Sequence, residues 1–253
     1  SSLMPDADQL RFMQSNGGLA EASAFRGKDA ILSGPAGGVV GMVAASRPLG
    51  FDRLIGFDMG GTSTDVAHFA GEYELTGDSV VAGVRVAAPM MQIHTVAAGG
   101  GSICRFDGTR FRVGPESAGA HPGPACYRNG GPLTVTDCNL FLGRIDPAQF
   151  PAVFGPKGNA PLDPAASKAK LKEVADRLDI AKPLAEIAEG FLAIATDNMA
   201  NAIRKISVAR GHDVTAYALA CFGGAGGQHA CRVADELGME TVLVHPLAGM
   251  LSA

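Results

Sequence analysis

Ile55-Gly56-Phe57-Asp58-Met59-Gly60-Gly61-Thr62-Ser63-Thr64-Asp65 reads as an apolar strand that carries an aspartate to its end, followed by two glycines and a run of hydroxyls. Gly60 and Gly61 let backbone N–H groups come up against phosphate oxygens without a Cβ in the way. Thr62, Ser63 and Thr64 add side-chain donors, and Asp58 suits a hydrated Mg²⁺. This is the design of a phosphate loop, with Asp58 and Asp65 as its candidate catalytic carboxylates. It differs from the P-loop, because no Gly-Lys-Ser or Gly-Lys-Thr occurs in the chain. A plain β-hairpin turn is the rival reading, since Gly-Gly-Thr before a strand serves either purpose.

A second glycine-rich turn, Cys221-Phe222-Gly223-Gly224-Ala225-Gly226-Gly227-Gln228-His229, lies between a buried strand and a helix. Backbone N–H groups at a helix start attract an anion, and glycines admit a flat base or ribose close to the main chain. Gly223, Gly224, Ala225, Gly226, Gly227 and Gln228 are therefore candidate nucleotide contacts, with Gln228 as a rim contact and His229 as a cap. A dinucleotide-binding fingerprint fails here. From Gly224 the pattern GxGxxG needs a glycine where His229 stands, and the following strand ends in His245 instead of an acidic residue.

Outward from these loops, composition bounds the class. With 47% hydrophobic and 18% charged residues over 253 positions, the chain is expected to fold as one large domain or two modest ones. Its 25 acidic and 21 basic residues form no long block of one sign, so nucleic acid is excluded as an expected partner. Five cysteines (Cys104, Cys126, Cys138, Cys221, Cys231) without a CxxC pair give neither a disulfide framework nor a four-ligand zinc module, and point to a reducing, cytoplasmic compartment. The most apolar stretch, Ala30 to Ala45, contains Pro35 and Gly37-Gly38 and is shorter than the roughly 20 residues of a membrane span. Ser1 to Pro5 lacks the features of a signal peptide. The 34 glycines are clustered, which suggests tight, ligand-facing turns.

Short strands between frequent turns make the first half mainly β. Leu54 to Phe57 and Val66 to Phe69 are buried strands, and Arg105 to Val113 is a hairpin turning at Asp107-Gly108. Gly155 to Asp163 marks a boundary, dividing a β-rich part (1–155) from a helical and βαβ part (156–253). Asp163-Pro164 then supplies an N-cap and a first-turn proline for a helix to about Leu178. A longer helix covers Leu184 to Arg210, stopped by Gly211. After it come a strand (Tyr217 to Phe222), the second glycine turn, a helix (His229 to Leu237) closed by Gly238, and a strand (Thr241 to Val244). The fold class is α/β with a β-rich first half.

The two glycine loops, with helices between them, resemble the phosphate and adenosine motifs of the actin, hexokinase and heat-shock-chaperone ATPase fold, a ribonuclease H-like architecture of which this chain would be a part. The resemblance sharpens with Ser33-Gly34-Pro35-Ala36-Gly37-Gly38-Val39-Val40-Gly41, the Asp58 to Asp65 loop, Val96-Ala97-Ala98-Gly99-Gly100-Gly101-Ser102, Gly114 to Tyr127, Thr134-Val135-Thr136-Asp137 and Phe222 to Ala230. Together these are similar, in order, to the hydantoinase A/5-oxoprolinase family. Phe150-Pro151-Ala152-Val153-Phe154-Gly155-Pro156 looks more like ATP-dependent 5-oxoprolinase than N-methylhydantoinase or the acetone carboxylase subunit.

The resemblance implies an enzyme that uses ATP and Mg²⁺ to phosphorylate the amide oxygen of a lactam or hydantoin, so that the carbonyl carbon becomes attackable. A hydantoinase B-like domain or subunit completes hydrolysis, and a homo-oligomer is expected. For 5-oxoproline the products are glutamate, ADP and phosphate. Phosphoryl transfer asks for positioning and charge neutralisation more than covalent chemistry, in keeping with the residues present. A competing reading is an actin-like or chaperone-like ATPase without a metabolic substrate. Against the family pattern, Asp6 follows Pro5 where a longer segment is expected, the lobe with the first phosphate loop is missing, and the chain stops inside a closing hinge helix. Gly37, Gly38 and Gly41 fit a close helix crossing at an interlobe hinge. Gly100, Ser102, Glu116, Ser117 and Asp137 are candidate substrate contacts, and His121 with Cys126 stands at a spacing compatible with two ligands of one metal ion, against the alternative of a structural loop. His68 reads as a surface or satisfied core histidine. Asn198, Asn201 and Arg204 are candidates to face the nucleotide, with helix-surface polarity as the alternative.

Overall fold

The computed structural model describes residues 10–81, 84–178 and 181–251, so the Pro5-Asp6 junction and the last two residues lie outside the described part. Helix α1 (Ser33–Ser46) precedes strands β1 (Arg53–Met59), β2 (Thr64–Ala70), β3 (Ile93–Val96), β4 (Ser102–Phe106) and β5 (Phe111–Ser117). Helices α2 (Val135–Phe141), α3 (Pro164–Ala175) and α4 (Leu184–Ile206) follow, then strand β6 (Ala218–Phe222), helix α5 (Ala230–Leu237) and strand β7 (Thr241–Val244).

Five strands form the central sheet in the order β7-β6-β1-β2-β3. β1 pairs antiparallel with β2 and β2 with β3, while β6 pairs parallel with β1 and β7 parallel with β6. Three meandering strands followed by two parallel to the first is the ribonuclease H-like arrangement, and the α/β expectation holds. Because the sheet takes β1 to β3 from one side of residue 155 and β6 and β7 from the other, the two stretches share one core. Among the described residues no helix is long and apolar enough to cross a membrane.

Each face of the sheet has its own cover. Ile55, Phe57 and Met59 are fully buried against Phe191, Met199 and Ile203 of α4 and Val233 of α5. Leu54, Phe69 and Phe222 pack on Val39, Met42 and Val43 of α1. Each such side chain contributes roughly 1.5–3 kcal/mol relative to exposure, which is why β1, covered on both faces, reads as an unbroken apolar run. α4 follows the expected stripe, with Ile187, Phe191, Ala195, Met199 and Ile206 buried. It ends at Ile206 instead of Arg210. The Ser207 hydroxyl and backbone N–H both turn back to the Ile203 carbonyl, and Val208–Arg210 finish as a 3₁₀ turn.

The Asp163 carboxylate caps α3 by accepting from the N–H groups of Ala165 and Ala166, and the helix closes at Ala175 with two further turn bonds to Leu178. The hairpin between β4 and β5 turns at Asp107-Gly108 as expected. In α1 the Cα of Gly41 faces Leu251, whose backbone oxygen would stand 3.4 Å from an added Cβ. A Cβ at Gly41 would thus make only an ordinary contact with the last described turn, while Gly37 faces Met13.

Candidate functional site

At the end of the β1–β2 hairpin, residues Gly60 to Ser63 form the turn, closed by Gly60 N–H to the Ser63 carbonyl (3.0 Å). The loop is thus the tip of the hairpin. Its shape is imposed by a strap, Gly99 to Gly101. Gly100 N–H donates to the Gly60 carbonyl (3.1 Å) and Gly101 N–H to the Gly61 carbonyl (2.6 Å), while Thr136 donates from both N–H and Oγ1 to the Gly100 carbonyl.

A trans peptide points its C=O and the next N–H in opposite directions. With the Gly60 and Gly61 carbonyls turned to the strap, the N–H groups of Gly61 and Thr62 are directed away from it, as adjacent donors suited to an anion. The second glycine loop joins the same assembly, because Ala225 N–H donates to the Met59 carbonyl (2.9 Å).

Asp58 and Asp65 are register partners across β1 and β2 and so project from one face of the sheet. Thr95 Oγ1 donates to Asp65 (2.5 Å). Gly223, the residue after β6, has φ +80, and a Cβ there would stand 2.4 Å from Asp58 Oδ1 and 2.5 Å from the Met59 carbonyl. Only glycine tolerates both that conformation and that approach. Gly226 is likewise packed on a sulfur, Cys221 Sγ, at 2.7 Å from a built Cβ. Burial, reinforced by the Asp58 charge, pushes the Cys221 thiol up to about 12. It stays protonated and takes no part as a nucleophile.

A cleft of about 270 Å³ opens between these loops, lined among others by Gly60, Gly61, Gly100, Gly224, Ala225 and Gln228, with Tyr127 and Phe150 on its rim. Asp58, Thr62, Ser63 and Asp65 are not among its lining residues, nor are several other candidates from the sequence. The buried Thr64 hydroxyl is spent on the Ala98 carbonyl (2.5 Å), leaving Thr62 and Ser63 as the open hydroxyls of the loop. Ser102 is buried and accepts from Gly99 N–H, bracing the strap. Ser117 Oγ accepts from Gly119 N–H beside the strap, and the exposed Glu116 pairs with Arg105 on the hairpin.

Asp137 is fully buried and accepts five hydrogen bonds, from the N–H groups of Ala125, Cys126 and Thr134 and the hydroxyls of Thr134 and Ser167. Its role is to lock the loop before α2, not to meet substrate. His121 is exposed, whereas Cys126 is fully buried, and burial next to Asp137 raises its thiol far above the ordinary range. The exposed His121 and the fully buried Cys126 are thus presented to different surroundings, and the structural-loop alternative describes this pair better. Arg204 bonds Asn201 and Glu236, in keeping with helix-surface polarity.

Two groupings escaped the sequence. Among the described residues, His68, Glu74 and His212 come within reach of a common ion. The His68 and His212 rings are stacked at 4.1 Å, Glu74 is engaged by His68 Nδ1 and by Arg210, and the buried His68 Nε2 has no partner. The group is a braced ion-pair cluster. The second grouping is Asn139, fully buried on α2, which bonds Gln228 and His229 of the glycine loop.

Burial, with Arg144 and Arg232 nearby, lowers His229 to about 4. The unfolded chain therefore takes a proton near pH 6.5 that the folded chain refuses until about pH 4. Stability is expected to fall by about 3 kcal/mol as the pH drops through that window. Chemical denaturation at pH 7 and pH 4.5 should show His229→Gln losing markedly less stability than the parent. Equal losses would contradict the assignment.

The sheet order, the turn at the hairpin tip and the glycine loop beside it define an actin-like, ribonuclease H-like fold. The hydantoinase/oxoprolinase family model matches residues 4–253, and the chain belongs to that family. It is 51% identical to 5-oxoprolinase 1 of Arabidopsis thaliana over 96% of this chain and 20% of that protein. The caprolactamase structure from Pseudomonas jessenii superposes with a TM-score of 0.82 at 37% identity, over 96% of this chain and 35% of that one. A nucleotide-free acetone carboxylase structure superposes with a TM-score of 0.83 at 29% identity, over 96% and 34%. The chain thus spans about a fifth of the length of the 5-oxoprolinase relative.

Proposed function

We propose that this chain is the nucleotide-binding lobe of an ATP-dependent cyclic-amide hydrolase that opens 5-oxo-L-proline, forming L-glutamate, ADP and phosphate. The observation that carries the reading is the braced phosphate turn, with the Gly61 and Thr62 N–H groups directed outward next to Asp58, in a chain 51% identical to a 5-oxoprolinase. The outward N–H pair and the Thr62 and Ser63 hydroxyls would take the phosphate oxygens, and Gly224, Ala225 and Gln228 the nucleoside. Asp58 projects beside Asp65 from one face of the sheet at the foot of this turn, a carboxylate placement that fits a magnesium ion held through water. When bound, the ion supplies neutralisation of the charge on the transferring phosphoryl group.

Positioning is the remaining task of the chain. It holds the γ-phosphate in line with the lactam oxygen and keeps water from competing for it. In the same proposal the activated lactam passes to a hydantoinase B-like domain or subunit within a cytoplasmic homo-oligomer. The test is ATP hydrolysis by the complete protein, with 5-oxoproline, caprolactam and hydantoin added separately. Stimulation by 5-oxoproline above the other two supports the assignment, and stimulation by caprolactam alone would move it to another lactam. ATP turnover that ignores all three would favour a non-metabolic actin-like or chaperone-like ATPase.

A further inference from the structure

Gln228 lines the cleft, and what it offers a ligand depends on which end of its amide faces inward. A guanidinium can only donate. Arg144 Nη1 points to Asn139 Oδ1 at 3.5 Å, and Arg144 is itself held by Glu189 (2.6 Å), whose second oxygen takes Arg232 (2.8 Å). The Asn139 carbonyl therefore faces Arg144, and its NH₂ faces the loop. There it donates to Gln228 Oε1 (2.9 Å) and to His229 Nε2 (3.0 Å). The fully buried Asn139 has every polar atom engaged, and the His229 ring, 1% exposed, is held with Nε2 as acceptor and its buried Nδ1 without a partner. With Oε1 of Gln228 taken, the end that remains for the cleft is its NH₂.

We infer that Arg144 and Asn139 are positioning residues that set the hydrogen-bond polarity of the glycine loop, so that Gln228 presents a donor to the cleft and the nucleoside group recognised there is an acceptor. This rests on the reading of the cleft as a nucleotide site. Neither residue lines the cleft, so both act through Gln228. Asn139→Asp keeps the shape but makes the inner atom an acceptor. Gln228 must then turn its NH₂ inward and offer its oxygen to a ligand atom that also accepts.

The experiment is calorimetric titration of ADP into the complete protein and its Gln228→Ala, Asn139→Asp, Arg144→Met and Gln228→Ala/Asn139→Asp variants, with melting temperatures for each. Gln228→Ala is expected to weaken ADP about 10-fold, the scale of one lost hydrogen bond in an enclosed site. Asn139→Asp should weaken it at least as much, Arg144→Met less but in the same direction, and the double variant no more than Gln228→Ala alone. Arg144 is half-buried, so Arg144→Met carries the test if Asn139→Asp does not fold. Unchanged ADP affinity in folded Asn139→Asp or Arg144→Met, alongside a weakened Gln228→Ala, overturns the inference. So does an Asn139→Asp effect that persists in the Gln228→Ala background. Unchanged affinity in Gln228→Ala instead removes the nucleotide reading of the loop itself.

Discussion

Asp58→Asn in the complete protein is expected to lower ATP turnover by at least about 10²-fold while leaving the fold intact. Asn keeps the volume of the side chain and one acceptor oxygen against Gly223, so packing at the end of β1 changes little. The negative charge is what disappears, and with it the group that would orient a hydrated magnesium ion. The melting temperature should stay within a few degrees of the parent, because Asp58 is only partly buried and its neighbours Phe57 and Met59 carry the core contacts. Steady-state phosphate release and a thermal melt decide the matter. Turnover equal to the parent's, with a normal melt, would reduce the motif to a simple hairpin turn.

The elements that position this site were legible because they carry their own punctuation. An unbroken apolar run to Asp58, Asp163-Pro164 before α3, and Gly238 after a helical stripe are local signals, and β1, the start of α3 and the end of α5 fall where those signals put them, while Gly211 closes the 3₁₀ turn after α4 instead of α4 itself. The loops were legible as glycine clusters. What could not be read was the destination of polar side chains, because their partners are distant in sequence. Thr64 finds the Ala98 carbonyl, Asp137 gathers donors from two loops and α3, and Asn139 reaches Gln228 and His229 across the cleft wall. A hydroxyl or carboxylate next to a glycine cluster is equally suited to binding a ligand or to bracing the loop that binds it. Only the fold distinguishes the two. The same applies to His68, which β2 and the segment after α4 bring against Glu74 and His212. The turn after Asp58 is the tip of a hairpin, and Gly223, read from sequence only as a glycine of the second loop, is pressed against the Asp58 carboxylate.

Gly99→Ala tests the strap, and its expected effect is out of proportion to one methyl group. A Cβ at residue 99 would stand 2.7 Å from Ser63 N and from the Thr62 carbonyl carbon, and 2.8 Å from the Gly61 carbonyl carbon. All three are backbone atoms of the phosphate turn, so no side chain can rotate away to relieve the contact. Restoring ordinary van der Waals separation requires the turn and the strap to part by several tenths of an ångström. That lengthens or breaks the bonds from Gly100 and Gly101 to the Gly60 and Gly61 carbonyls. Once those carbonyls are released, only the Gly60 to Ser63 turn bond still constrains the Gly61 and Thr62 N–H groups, and displacements near 1 Å at a reacting centre cost about 10²-fold in rate. Overpacking of this kind also costs roughly 1–3 kcal/mol, a drop of about 3–10 °C in melting temperature for a domain of this size. Gly77→Ala is the matched control, because a Cβ there meets nothing within 4 Å, and it should leave both rate and melt near the parent's. Kinetics well below the melting point separate the two effects. If folded Gly99→Ala hydrolyses ATP as fast as Gly77→Ala, the orientation of the Gly61 and Thr62 N–H groups does not govern phosphate binding, and the anion must be held by the Thr62 and Ser63 hydroxyls instead.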